Sequence, residues 1–501
     1  MHCPLVSYLY RMQRAAEFLT SHRNWILWLG IPLVTFLLHI HIFPKELVGV
    51  HAWRQTETTS NVVNFYERDF HPLHPQVHNL EWPEGSKKME FPIMQWLMAW
   101  GYFLFGENIW IVRFLSFLIG LGTVFGMHRL VRHLFQDEFL ALLSAWCMAF
   151  SPVFFYYTVN PLPDNLALMA GTWGIALFIK WVRLRDRVDL WLSAGFLLLA
   201  TLAKLPFILF YGLPFGFALV DTIRSRFKRL PQNVGVALPG ILSLAFPAAW
   251  YLSVIPTWTG NGVVGGILHA TPDEYFILLK IFVKNIVSTL PELMINYGSF
   301  AFFVMGVYYL FRNKARKHQL WWAFAIWASG VGAYYLFEIN MITTVHDYYL
   351  FPFLPGLFLI LIYGLREVWQ WRSPWAQRFV FFAMLVLPLT AVLRTYPRWA
   401  KIGFSKDLIT YREELRRAVP DDALVLAGSD LSPHIYLYHL HKRGWHLAIE
   451  EMEAERITNC IGFGAEYLYS DSREMEMHPA LKDHLAEQVA EFGEFKVWRL
   501  K

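Results

Sequence analysis

The sequence predicts an all-α polytopic membrane bundle of about eleven transmembrane helices, followed by a small C-terminal α/β domain. Three observations carry this prediction. The 501 residues are 55% hydrophobic but only 17% charged, where an ordinary soluble protein is nearer a quarter charged. The charge is uneven: residues 398–501 hold 32 of the 83 Lys, Arg, Asp and Glu, leaving 51 in the first 397. Apolar runs long enough for about 30 Å of hydrocarbon recur along those 397 residues. A soluble enzyme, a disordered chain and a nucleic-acid binder with a basic face are thereby excluded.

The expected organisation is a cytoplasmic tail over 1–24, a membrane domain over 25–397 whose first outer loop spans 44–90, and a soluble domain over 398–501. The run from Trp25 to Ile42 follows Arg11, Arg14 and Arg23 like a signal peptide but has no small-residue cleavage site, so it reads as a first span. Further spans fall near 109–128, 139–157, 165–182, 190–203, 206–220, 234–255, 297–311, 320–337, 348–364 and 378–393. The stretches 91–105 and 274–292 read as helices in the interface; the first is short and the second is interrupted by Lys280, Lys284 and Pro291.

After Ser405 the pattern changes to a partly parallel α/β arrangement. Helices are expected over 407–418, 433–441 and 450–460, and strands over 423–427, 466–469 and 495–500. Gly428-Ser429-Asp430 follows a strand but lacks the glycine spacing of a nucleotide loop.

Orientation follows from the basic residues, which gather in cytoplasmic loops. Arg129 and Arg132, Lys180 to Arg187, Arg224 to Arg229, Arg312 to Lys317, and Arg366 with Arg372 occupy every second loop. The loops 158–164 and 338–347 contain no Lys or Arg, and the remaining short one holds only Lys204. An odd number of crossings from a cytoplasmic N-terminus then puts the last domain outside.

The unusual polar residues all sort to that outer side. HAWRQTETTSNVVNFYERDF in the first outer loop reads as a helix with Trp53, Glu57, Asn61 and Asn64 along one face. The loop closes with Lys87-Lys88-Met89-Glu90-Phe91-Pro92. Asp164 stands at or beside a helix N-cap, Lys204 at the outer end of a span, and His346-Asp347-Tyr348-Tyr349 before another. Each also has a structural reading. Asp164 can cap its helix, Lys204 can snorkel, His346 can bond a loop, and Arg54 with Glu57 can form a surface ion pair. Those readings do not account for their shared side.

Four segments, in order, carry a resemblance: WRQTETTSNVVNFYE, MEFPIMQWLMAWGYFLFGENIWIVRFLSFLIG, SPVFFYYTVNPLPDNLALM and HDYYLFPFLPG. Over residues 25–365 the chain resembles the integral-membrane, GT-C-fold glycosyltransferases that use polyprenyl-phosphate sugars, in the branch of the protein O-mannosyltransferases and lipid A aminoarabinose transferases. The resemblance implies a catalytic carboxylate in the first outer loop, which maps to Glu57, and a loop-end Glu before Pro, which maps to Glu90. Glu57 replaces the family's usual aspartate and lies about one helical turn beyond where some relatives place the acid. Phe91 stands where the aminoarabinose transferases have lysine.

A polyprenyl-phosphate donor carries its own leaving group. The chemistry therefore needs one carboxylate to take the acceptor's proton and cations to hold the phosphate. The first expectation for the base is Glu57, then Asp164, with Arg54 and Lys204 on the phosphate, completed by His346 and Tyr348 and supported by Glu90 and Asp347. Partial burial is expected to raise the base's pKa. Expected partners are the lipid-linked sugar donor, a lipid, glycan or protein acceptor, and the bilayer of a bacterial inner membrane; no nucleic acid is expected. No cofactor is required by this chemistry.

Metal ligation is not supported. His71, His74 and His78 sit in a proline-stiffened loop without an acidic or cysteine partner at a ligand interval, and Cys3, Cys147 and Cys460 form no pair. A secondary transporter and a lipid-linked glycan ligase or polymerase are the alternative classes, although no repeat relates the two halves. The last domain is expected to cover the outer active site or to bind the acceptor.

Overall fold

All eleven predicted apolar stretches fall on helix in the computed structural model, which describes residues 17–258, 267–268, 270–313, 319–428 and 432–501. Cys3, Arg11, Arg14, Lys314, Arg316, Lys317, Ser429 and Asp430 lie outside the described residues. Among the described residues, seven helices are long and apolar enough to cross a membrane: Ile109–Phe135, Pro163–Leu184, Leu205–Arg224, Leu230–Thr257, Gln319–Phe337, Asp347–Gln370 and Pro374–Ala400. The other four predicted stretches lie on shorter or interrupted helices. The first span is divided by a π-turn at Ile26–Gly30, and the third is broken between Glu138–Ala149 and Pro152–Tyr157. Arg187–Ala203 and Tyr297–Arg312 are 17 and 16 residues long. The third span breaks at Phe150-Ser151 because Pro152 lacks the N–H a continuing helix needs and starts a new one at its first position.

The residues cluster into two units. One comprises 1–43, 114–159 and 163–396; the other comprises 44–113, 160–162 and 397–501.

In the helical unit, polar side chains tie neighbouring helices through backbone carbonyls. Trp146 Nε1 donates to Met384 O at 2.8 Å. Asn296, at φ 79°, donates to Phe150 O and Leu387 O at 2.9 and 3.1 Å. Small residues set the closest helix approach: a Cβ on Gly306 would lie 2.0 Å from Ile360 O, and one on Gly364 would lie 1.9 Å from Phe302 O. Tyr297–Arg312 and Leu354–Gln370 therefore pack nearly backbone to backbone. Pro374–Ala400 leaves Phe382, Leu385, Leu389 and Leu393 exposed, an apolar stripe at helical spacing suited to lipid.

The second unit is built on a five-stranded sheet: β1 (Leu424–Ala427), β2 (Gly444–His446), β3 (Ala465–Ser470), β4 (Leu485–Phe492) and β5 (Phe495–Leu500). Their order is β2-β1-β3-β5-β4. β1 pairs in parallel with β2 and β3, while β5 is antiparallel to β3 and β4. The predicted strands correspond to β1, β3 and β5; β2 and β4 were not anticipated. β2 is three residues long, and β4 is an outer strand whose mostly exposed Leu-Ala-Glu-Gln-Val-Ala-Glu-Phe carries little apolar alternation. The predicted 407–418 helix is two short ones, Asp407–Thr410 and Arg412–Arg417, separated at Tyr411.

Alternation along β1 sends Val425 and Ala427 to one face and Leu426 to the other. The first face packs with Leu408, Leu415, Ile435 and Leu440, and the second with Ile457, Cys460 and Met475. The first cluster also takes in Ala52 and Trp53 from the start of helix Ala52–Glu67. Residues 76–80 extend the sheet edge, since Leu80 N donates to Gly444 O at 2.7 Å and Gly444 N to His78 O at 3.1 Å. Arg113, almost fully buried, secures the loop start by donating to Lys45 O, Glu46 O and Asn160 Oδ1.

Candidate active site

Helix Ala52–Glu67 begins after His51, whose left-handed φ of 58° turns the chain into it. Its 16 residues include 13 buried ones, so the predicted single polar face is enclosed on nearly every side. Buried polar groups must find partners, and this helix finds them in its own loop. Asn61 Nδ2 donates to Gln76 O at 2.6 Å, and His78 N donates to Ser60 Oγ at 2.9 Å.

One turn into the helix, Arg54 is hydrogen-bonded to Glu57 on the same helix and to Glu90 at the loop's end. Lys87 Nζ lies 2.5 Å from the second oxygen of Glu57. His434, from the segment before helix Ile435–Leu440, lies 3.6 Å from that oxygen and 3.0 Å from Lys87 Nζ. Trp82 closes the group, with Lys87 Nζ 4.4 Å from its ring centre and the His434 ring parallel to it within 6°. The cluster is buried: Arg54, Glu57 and Glu90 are 4%, 3% and 8% exposed. The surface-pair reading of Arg54 and Glu57 is therefore replaced by a desolvated network of two cations and two carboxylates.

The expectation that burial raises the pKa of Glu57 is reversed. Burial does oppose ionisation, but the neighbouring cations Arg54 and Lys87 outweigh it and hold the carboxyl well below its ordinary value. His434 is brought down to about 3, first by burial and then by Lys87, with Glu57 opposing. It is neutral at physiological pH, so its Nε2 can accept from the Lys87 ammonium.

The helical unit holds the other predicted residues. Asp164 is the second residue of helix Pro163–Leu184, in its first turn, where a carboxylate meets the positive end of the helix dipole. Lys204 lies 3.5 Å from Asp164 Oδ2, in the extended residue between helix Arg187–Ala203 and the 3-10 turn Leu205–Tyr211. Its ammonium stands 5.3 and 5.8 Å from the ring centres of Tyr349 and Tyr348. His346 stacks on Tyr348 at 5.3 Å, and Tyr157 donates its hydroxyl hydrogen to Asp347. Asp164, Lys204, His346, Asp347 and Tyr348 are thus gathered in this unit, and Arg54, Glu57 and Glu90 in the other.

Sequence reasoning left Lys87, Trp82, His434, Tyr157 and Tyr349 without roles. Lys87, Tyr157 and Tyr349 stood inside quoted motifs. His434 had no local signal, because its partners are brought to it by tertiary folding.

The three loop histidines occupy different environments: His78 is bonded within the core to Ser60, while His71 and His74 are exposed and His74 pairs with Asp69 at 3.2 Å. Glu67, Glu107 and His441 place three donor atoms within 4.8 Å of one another. His441 already hydrogen-bonds Glu67 at 3.0 Å, which gives the trio a partner of its own.

Residues 89–251 match the sequence family described as dolichyl-phosphate-mannose-protein mannosyltransferase. The structure is similar to ArnT from Cupriavidus metallidurans in the apo state, with a TM-score of 0.64 at 14% identity over 96% of this chain and 98% of that one. The chain shares the fold of this protein, the GT-C fold. The same GT-C protein bound to undecaprenyl phosphate matches with a TM-score of 0.65 at 12% identity, again over 96% and 98% of the two chains. The GT-C likeness extends to the oligosaccharyltransferase AglB from Archaeoglobus fulgidus, in complex with an inhibitory peptide and a dolichol-phosphate. There the TM-score is 0.59 at 13% identity over 92% of this chain and 70% of that one. No curated protein sequence matches the chain. The predicted bundle with a small C-terminal sheet is thereby borne out, and with it the resemblance to the GT-C enzymes.

Proposed function

We propose that the protein moves a sugar from a polyprenyl-phosphate donor to a lipid, glycan or protein acceptor. The observation that carries this reading is the buried Arg54–Glu57–Lys87–Glu90 network in a chain with the GT-C fold. In the transfer, an acceptor hydroxyl or amine gives its proton to a carboxylate while its oxygen or nitrogen bonds the sugar's anomeric carbon. The anomeric carbon–oxygen bond to phosphate breaks, and the polyprenyl phosphate leaves with that electron pair. Glu57 is assigned as the base and Asp164 as the next choice; Arg54, Lys87 and Lys204 are the cations for phosphate, with His346 and Tyr348 alongside Lys204.

Glu57 in its present pairing is a weak base, because a catalytic base works best with a pKa near the operating pH. A donor phosphate drawn to Arg54 and Lys87 competes with Glu57 for both cations. Losing them raises the proton affinity of a carboxylate that burial already favours in its neutral form. Donor binding would in this way switch on the base.

The basic-loop pattern supports an N-terminus in the cytoplasm and a site on the opposite face of a bacterial inner membrane. Purified protein supplied with a polyprenyl-phosphate sugar in detergent, without any ion gradient, should consume the donor. Glu57→Gln and Asp164→Asn both retaining full transfer would overturn the site assignment. Absence of donor consumption in the presence of cell-extracted acceptors would overturn the reaction.

A further inference from the structure

The loop that brings His346, Asp347, Tyr348 and Tyr349 to Lys204 contains a strained turn. It joins helix Gln319–Phe337 to the 3-10 turn Asp347–Phe353, and at Thr343 its backbone takes a φ of 64°. That left-handed value is an outlier for a β-branched residue, and such a conformation persists only where its surroundings over-determine it. Part of the hold is local: His346 N donates to Met341 O at 2.9 Å, and Thr343 N to His346 O at 3.4 Å. The rest comes from outside the loop.

Asn285 supplies it. This residue is 5% exposed and opens the π-helix Asn285–Met294, a rare geometry that is frequent at functional sites. Its Oδ1 accepts from Thr343 Oγ1 at 2.6 Å and from Thr289 Oγ1 at 3.0 Å, while its Nδ2 donates to Tyr335 Oη at 2.8 Å. Tyr335 lies in the last turn of the helix before the loop, and Thr343 lies three residues before His346. One buried amide therefore clasps the loop at its start and at its strained turn.

The far end of the π-helix is tied to a different segment. Ser151 Oγ donates to Met294 O at 2.5 Å, and Asn296 donates to Phe150 O at 2.9 Å. Ser151 precedes helix Pro152–Tyr157, whose last residue donates its hydroxyl hydrogen to Asp347. The π-helix thus bonds the loop that leads to Asp347 at one end and the segment that leads to Tyr157 at the other. Those two segments meet beside Lys204, whose ammonium stands 5.3 and 5.8 Å from the Tyr349 and Tyr348 ring centres. The placing of these rings depends on a residue that hydrogen-bonds none of them.

We propose that Asn285 is a positioning residue for the donor-phosphate site: through Thr343 it sets His346, Tyr348 and Tyr349 around Lys204. This inference rests on the reading of Lys204 as a cation for the donor phosphate.

The test compares purified full-length protein in detergent with Asn285→Ala, Thr343→Val and Thr343→Ser. Valine keeps the branched shape of threonine and removes the hydroxyl, whereas serine keeps the hydroxyl. KM for the polyprenyl-phosphate sugar should rise about tenfold in Asn285→Ala and Thr343→Val, as for a lost hydrogen bond, and stay near the parent's in Thr343→Ser. Donor grip is uniform binding, so kcat and the acceptor KM should not change. Damage to folding alone would instead lower the active fraction, and with it kcat, at an unchanged donor KM. The double variant Asn285→Ala with Thr343→Val should be no worse than Asn285→Ala, because both remove the same contact.

Hydrogen exchange gives a readout that needs no turnover. Amides of residues 341–349 should exchange faster in Asn285→Ala, with helix Pro163–Leu184 unchanged. A parent that consumes no donor would defeat the proposed reaction but not this inference; calorimetric titration with farnesyl phosphate then replaces KM, with the same ratios expected. Unchanged loop exchange in Asn285→Ala, an unchanged donor KM or farnesyl phosphate affinity in that variant, no farnesyl phosphate binding by an inactive parent, or equal losses in Thr343→Ser and Thr343→Val would each overturn the proposal.

Discussion

Lys87 Nζ donates a hydrogen bond to His434 Nε2 at 3.0 Å, between residues 347 positions apart. The bond requires a neutral imidazole, and the folded protein keeps it neutral down to about pH 3. Between about 3 and the ordinary value near 6.5, the unfolded chain binds a proton at this residue and the folded chain does not. Stability therefore falls as pH drops below about 6.5. Thermal unfolding in detergent from pH 7 to pH 4 should show that fall. His434→Gln, which keeps an acceptor but does not titrate, should reduce it.

Glu57→Gln should lower transfer about 10²- to 10⁴-fold in kcat, the usual contribution of a general base. Lys87→Met removes one of the cations that hold Glu57 ionised without touching the carboxylate. If donor phosphate and Glu57 compete for Lys87, this variant should raise KM for the donor and shift the ascending limb of the pH–rate profile upward. Steady-state kinetics across pH 5.5–8.5 would separate the two effects.

His441 has the opposite linkage. Its hydrogen bond to Glu67 raises its pKa against burial, helped by the charges of Glu67 and Glu107. A raised histidine stabilises fully below its unfolded value near 6.5 and loses that contribution as pH rises through the folded value. Melting temperatures of the parent should therefore decline above about pH 6.5 more steeply than those of His441→Gln. Equal slopes would show that the contact is not an imidazolium–carboxylate pair.

Gly306→Ala should destabilise the helical unit by about 1–3 kcal/mol, as overpacking a tight contact does. The added methyl would meet Ile360 O, a backbone atom that cannot rotate away. Gly332→Ala is the control, since nothing lies within 4 Å of its added carbon. Denaturant unfolding in matched detergent should move the midpoint for the first variant and not lower it for the second.

The helical architecture was legible in the sequence because span length and charge scarcity are local properties that a bilayer imposes directly. Arg54, Glu57 and Glu90 were also legible, since one helix and one loop end carry them. The environment of Glu57 was not. Burial and nearby cations push its pKa in opposite directions, and which wins depends on the position of Lys87, not on composition. His434 and β2 were hidden for a related reason. A histidine in Ser-Pro-His-Ile and a three-residue strand acquire meaning only beside residues 76–90. β4 escaped notice because an outer strand rich in Glu and Gln reads locally as solvent-exposed chain.

The first loop and the last hundred residues share one folded unit, with His434 packed among Arg54, Glu57 and Lys87. Their partnership has a consequence for biosynthesis. The first loop emerges early, but the residues that complete its surroundings leave the ribosome only after nearly all the intervening helices. Until then Glu57 and its cations lack the imidazole and part of the core around Ala52 and Trp53, and the polar helix must wait solvated or guarded. A truncation near the C-terminus would strand that loop from birth, so nonsense lesions far from the early motifs should be as damaging as changes within them.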